Sequence, residues 1–231
     1  MPHTMTADLF PAGVVAVEAF DDAEPAPLFP EEERLIARAG SKRRTEFATA
    51  RRCAREALAG LGCPPAPVLP GEGGAPTWPA GVVGSITHCA GYRLAAVAPA
   101  STLWTLGVDA EPNEPLPPGL LGCVASAPER VAVTALLASD PSVRWDRLLF
   151  CVKEAVYKVW FPLTRQPLGF TGAVVTIDAA GRTFDARLTV PGPRLDGREV
   201  TGFAGRWLAH RGLLVAALAT PVRDPATTRA G

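Results

Sequence analysis

Apolar residues recur at helical spacing from residue 145 to about 161, with Leu149, Val152, Val156 and Val159 three and four apart. The pattern predicts an amphipathic helix with those four as its buried stripe. A second helical period, from about 45 to 61, places Phe47, Ala50, Ala54, Ala57, Leu58 and Leu61 on one face, and Gly62 ends it. Pro30 opens a shorter helical stretch to residue 38, with Glu31, Glu32 and Glu33 in the first turn, where the helix dipole favours acids. Residues 127–138 read as a further helix. Strand-like runs lie at 14–17, 82–87, 93–98, 103–109, 173–177, 183–190, 202–209 and 213–219. Residues 64–79 form a Pro/Gly loop without periodicity, and the chain from Arg223 reads as a frayed tail.

The pattern repeats once. Residues 84–98 align without gaps on residues 205–219, and two glycines and three alanines coincide. Each copy follows one of the two long helices. This predicts an α+β fold with pseudo-twofold duplication, each half a small, mostly antiparallel sheet packed on a long helix. The expected halves are residues 1–112 and 113–231, with a ligand cleft between them. The duplicated length suggests a monomer.

Composition narrows the function without choosing it. The 231 residues carry 23 Lys+Arg against 23 Asp+Glu, and this balance argues against a general nucleic-acid or membrane-surface binder. Five cysteines with no CxxC spacing argue against a zinc site and suit reduced thiols. Acidic residues interrupt the N-terminus, and no segment approaches the roughly 20 apolar residues that cross a bilayer. A cytoplasmic protein is expected.

The chemistry concentrates in two segments. Gly107-Val108-Asp109-Ala110-Glu111 ends a strand, and alternation turns Asp109 and Glu111 to the same side. In the helix beyond, Glu154 and Lys158 stand one turn apart, with Lys153 adjacent in sequence. A lone Asp-x-Glu is usually a solvated strand end, and a lone Glu–Lys pair a surface ion pair. Together, three carboxylates repel unless a cation joins them. Oxygen donors beside ammonium groups suit Mg²⁺ holding a phosphate ester. An arginine cluster, with Arg43, Arg44, Arg51, Arg52 and Arg55 on or beside one helix, suits a ligand with several phosphates. Gly84-Ser85-Ile86-Thr87-His88-Cys89 offers close backbone approach, two hydroxyls and a histidine. Cys89 lacks an evident activating base, so a thiol nucleophile is not expected there.

These motifs, in this order, resemble the 4'-phosphopantetheinyl transferase superfamily, in its long monomeric class. The resemblance rests on residues 84–89, on Gly-Val-Asp109-Ala-Glu111, on Lys153-Glu154-Ala-Val-Tyr-Lys158, and on residues 43–55. It implies transfer of the phosphopantetheine arm of coenzyme A to a serine of an apo carrier protein, acyl, peptidyl or polyketide, releasing adenosine 3',5'-bisphosphate. It further implies that Asp109, Glu111 and Glu154 ligate Mg²⁺ and that Glu154, or a water held by the carboxylates, deprotonates the serine. Lys158, also catalytic, would contact the pyrophosphate and stabilise or protonate the leaving phosphate, and Lys153 would help hold the ligand. Arg43, Arg51 and His88 would bind the nucleotide's phosphates, with Ser85 and Thr87 lining the pocket. One departure is the loop at 70–76, which carries Glu72 and no cation where relatives often place Lys or Arg. The 3'-phosphate would then rest on Arg43, Arg51 and His88. Trp160, Phe161, Leu168 and Phe170 suit either the core or a pantetheine channel and docking face. Two alternatives stay open: a coenzyme A or nucleotide-binding module without catalysis, and a Mg-dependent phosphohydrolase.

Overall fold

Two strands buried on both faces organise the molecule, and both come from near-continuous apolar runs. The computed structural model describes residues 4–24 and 26–222; the expected tail from Arg223 lies outside them. Strand β3 (Tyr92–Pro99) lies between β1 (Val15–Ala19) and β2 (Val82–Cys89) in a three-stranded antiparallel sheet. Strand β10 (Leu213–Pro221) lies between β4 (Leu103–Pro112) and β9 (Gly202–His210). The latter sheet continues through β6 (Thr183–Leu188) to β5 (Ala173–Asp178), again antiparallel throughout. A small hairpin, β7 (Arg194–Leu195) with β8 (Arg198–Glu199), adds a lip that the sequence pattern did not signal.

Each sheet carries a long helix. After α1 (Pro30–Ile36), helix α2 (Ser41–Gly60) packs on the first sheet, with Ala54, Ala57 and Leu58 against Ala95 and Val97. It starts a turn earlier than the apolar period suggested, because Gly40 serves as an extended N-cap and the basic run from Lys42 becomes the first turn. After α3 (Leu120–Val124) and α4 (Ala127–Ser139), helix α5 (Trp145–Thr164) packs on the second sheet. The expected stripe of Leu149, Val152, Val156 and Val159 is buried there against Leu214, Ala216 and Leu218. Helix α5 runs through Pro162 and stops where Arg165 takes a left-handed conformation. The fold is α+β, as expected.

The two repeated segments are both antiparallel hairpins with one register. Gly84 pairs with Val97 and Gly205 with Leu218, while Gly91 and Gly212 occupy the turns at positive φ. Strand β4, which a division at residue 112 would leave in the first half, makes its ladder with β10 of the second.

Contact between the sheets runs through side chains. Ser85 Oγ accepts from the Val108 amide and Thr87 Oγ1 from the Ala110 amide, each at 3.1 Å. Two hydroxyls on β2 thus satisfy the free edge of β4. On its other side β4 presses against α5 at Gly107. A Cβ there would collide with the Ala155 carbonyl and the Val159 side chain. This close approach brings the β4 carboxylates to the polar face of α5.

Candidate active site

Residues Arg147, Glu154 and Lys158 share one face of α5, at spacings of seven and four. That face looks onto Asp109 and Glu111, which alternate to one side of β4 as expected. Lys158 Nζ lies 2.7 Å from Asp109 Oδ1 and also donates to the carbonyls of Val108 at 3.0 Å and Ile86 at 3.3 Å. Thr87 Oγ1 donates to the same Asp109 oxygen at 3.1 Å. Asp109 Oδ2 is buried without a hydrogen-bond partner. Glu111 turns to Arg147, with Oε2 3.0 Å from Nη1.

The Asp109 charge acts on both glutamates. Burial first, and then the Asp109 charge, raise the Glu154 carboxyl above the ordinary range, while Lys158 opposes the shift. Glu111 is raised for the same two reasons and opposed by Arg147 and Lys158. Cys89 is pushed up to about 12, mainly by burial and then by Glu111 and Asp109, so it carries no thiolate near neutral pH. Among the described residues, no three His, Cys, Asp or Glu side chains stand close enough to hold a metal ion as they are.

Glu154 and Lys158 open into a cleft of about 550 Å³ between the halves. Its walls include Ser85 and Ile86 of β2, Tyr157 and Phe161 of α5, and the loop from Gly71 to Trp78. Gly73, at φ 60°, lets that loop lie on the Phe161 ring. Next to it, sharing Gly74, Pro76 and Ile86, a smaller hollow of about 180 Å³ is lined by Arg43, Arg51 and His88. Arg43 Nη1 is 2.7 Å from His88 Nε2, so the ring accepts from the guanidinium through that nitrogen. Burial, then Arg43 and Arg93, lower the His88 pKa and favour the neutral ring. Arg51 stacks on Phe47 at 4.2 Å, and its Nε is buried without a hydrogen-bond partner. Burial pulls its guanidinium down to about 10, which leaves it cationic at neutral pH.

Other expected site residues are placed elsewhere. Lys153 is buried, and its ammonium goes to Glu129 and to the carbonyls of Phe170 and Ala173. It precedes Glu154 by one residue, a rotation of about 100° around the helix, and so lies outside the main cleft. Thr87 is buried in the seam and does not line the cleft, whereas Ser85 does. Arg44 caps α1 carbonyls, Arg52 pairs with Glu24 and Glu56, and Arg55 pairs with the buried Glu32. Only Arg43 and Arg51 of the expected cluster reach the hollow. Trp160 is a core residue, Phe161 is buried but also walls the cleft, and Leu168 and Phe170 edge a third hollow that touches Glu154 and Tyr157.

Comparison with known proteins identifies the family. A sequence model of the 4'-phosphopantetheinyl transferase N-terminal domain matches residues 31–98, and one of the 4'-phosphopantetheinyl transferase superfamily matches residues 105–194. The chain belongs to the 4'-phosphopantetheinyl transferase superfamily. It is 53% identical to 4'-phosphopantetheinyl transferase Svp of Streptomyces mobaraensis, over 97% of this chain and 92% of that protein. It is 44% identical to 4'-phosphopantetheinyl transferase PptT of Mycobacterium tuberculosis, and 46% identical to 4'-phosphopantetheinyl transferase Npt of Nocardia iowensis. Each of those matches covers 93% of this chain and 99% of the relative. No helix among the described residues is long and apolar enough to cross a membrane.

Proposed function

We propose that this transferase moves the 4'-phosphopantetheine arm of coenzyme A onto a serine of an apo carrier protein, yielding holo carrier and adenosine 3',5'-bisphosphate. The observation that carries the reading is the continuity of two hollows. One holds Glu154 and Lys158, the other Arg43, Arg51 and His88, and they share a wall. The spacing suits a ligand with a diphosphate at one end of a nucleotide and a further phosphate at the other. The duplicated length lets one chain supply both walls, so a monomer is competent.

Asp109, Glu111 and Glu154 fit a hard cation by donor chemistry: all are oxygen ligands, Asp109 Oδ2 lacks a partner, and burial and the Asp109 charge raise the Glu111 and Glu154 carboxyls. A Mg²⁺ held by these three residues would supply charge neutralisation at the diphosphate and the departing oxygen. The remaining steps belong to the protein. Glu154, with its raised pKa, is a better base than an exposed glutamate and takes the serine proton. The serine oxygen then bonds to the phosphorus that carries pantetheine, and the bond from that phosphorus to the bisphosphate breaks. Lys158 faces the anion that leaves, and Arg43, Arg51 and His88 hold the nucleotide's phosphates.

The test is labelling of purified apo carriers, acyl, peptidyl and polyketide, with a fluorescent coenzyme A in Mg²⁺. Glu154→Gln should cut the rate by about 10²–10⁴-fold with the fold intact by circular dichroism. Full activity in that variant refutes the role given to Glu154. Binding of coenzyme A with no turnover on any carrier would favour the binding-module alternative.

A further inference from the structure

The guanidinium of Arg147 is fixed beside Glu111 by three hydrogen bonds. Nη1 takes Glu111 Oε2 at 3.0 Å, Nη2 takes the Pro115 carbonyl at 2.7 Å, and Nε takes the Glu114 carbonyl at 3.2 Å. The side chains are only 17% and 20% exposed, so water screens the pair weakly. Two of the three contacts go to backbone, which anchors the guanidinium whether or not Glu111 is present. Asp109, two residues back on the same face of β4, is meanwhile held by Lys158. Each of the two β4 carboxylates thus has its own protein cation, and among the described residues no metal-binding trio is assembled.

We infer that Arg147 is a positioning residue that acts as a resident counter-cation, holding Glu111 off Asp109 and Glu154 until a divalent cation competes for it. The inference rests on the cation site proposed above. Release costs Arg147 one contact of three, and it gives Glu111 a divalent partner in place of a monovalent one. Arg147 thereby sets the affinity of the site for its cation without touching substrate. Loss of the guanidinium leaves the same three carboxylates with less positive charge nearby, so a divalent cation binds more tightly. Simple structural damage predicts the opposite sign.

The experiment measures Mn²⁺ affinity by electron paramagnetic resonance and calorimetry, without coenzyme A or carrier. It compares the full-length protein with Arg147→Gln, Glu111→Gln and the double variant. Arg147→Gln should tighten Mn²⁺ binding by roughly three- to tenfold, the scale of one partly buried ion pair. The gain should vanish in the Glu111→Gln background, and Arg147→Lys should keep most of the wild-type affinity. Unchanged or weaker binding in Arg147→Gln overturns the inference. So does an equal gain in both backgrounds, which would mark a general charge effect. A wild-type protein that binds no Mn²⁺ would instead remove the cation site itself, and that outcome is read before any variant is compared.

Discussion

Lys158 Nζ stands 2.7 Å from Asp109 Oδ1 while donating to the carbonyls of Ile86 on β2 and Val108 on β4. One ammonium from α5 therefore ties both sheets together at the wall of the cleft. Lys158→Gln should lose about 1–3 kcal/mol of stability, because hydrogen bonds to a charged donor are lost along with the ion pair. It should also slow carrier labelling by about 10²-fold or more. Thermal melts and kcat on one preparation separate the two effects; an unchanged kcat would remove Lys158 from the chemistry.

Lys153 invites the contrary expectation. Its side chain is 3% exposed and its partner Glu129 1%. Breaking a buried pair from one side strands the other charge, at a cost of about 3–5 kcal/mol. Lys153→Met should therefore lower the melting temperature sharply, while coenzyme A affinity per folded molecule stays the same. A stable variant with a raised KM for coenzyme A would restore the ligand-holding role implied by the motif.

Acid should act on His88 with a definite sign. Its folded pKa lies below the ordinary histidine value of about 6.5. The unfolded chain then binds the extra proton first, so this group's contribution to stability is intact above that value. It falls away as pH drops from there through the lowered pKa. A phosphate placed between Arg43 and His88 reverses the balance. Titration of the His88 ring by NMR should show a pKa that rises when adenosine 3',5'-bisphosphate is added; no rise would separate His88 from the phosphate site.

Glu111 and Glu154 run the other way, since both carboxyls are raised, chiefly by burial and then by Asp109. Their ionisation costs folding energy, so this part of the stability is present at low pH. It is lost as pH climbs from the ordinary glutamate value of about 4.3 through the raised values. Added Mg²⁺ should raise the melting temperature more at pH 7.5 than at pH 5, where protonated carboxyls bind it poorly. Equal shifts at both values would argue against these carboxylates as its ligands.

Gly107 provides a mechanical check. With the Ala155 carbonyl and Val159 occupying the place of a Cβ, Gly107→Ala should cost about 1–3 kcal/mol through overpacking. Activity should fall beyond the loss of folded protein, because α5 must back away from Asp109. A crystal structure of the variant with α5 unmoved would contradict this.

The sequence made periodic features legible and tertiary pairings invisible. The stripe on α5 and the shared side of Asp109 and Glu111 follow from spacing alone, and the structure places both as expected. Lys153 was assigned to the ligand by its place in a motif, although adjacent helical residues point about 100° apart. The same geometry holds the missed signal: Arg147 precedes Glu154 by seven residues, two turns along the same face. What no spacing rule supplies is that Glu32 collects Arg55, or that Glu129 collects Lys153. Those pairs join elements 23 and 24 residues apart through buried charge. Arginine counts on α2 therefore overstated the cations free to meet a phosphate.

Two small side chains on β2 take the place of a strand ladder at the plane where the halves meet. A joint of that kind has two side-chain hydrogen bonds where a ladder would have a row of backbone ones, and Ser85, one of the two, also lines the cleft. Whatever occupies that cleft also splints the joint, and amide exchange at Val108 and Ala110 becomes a gauge of how firmly a ligand is gripped.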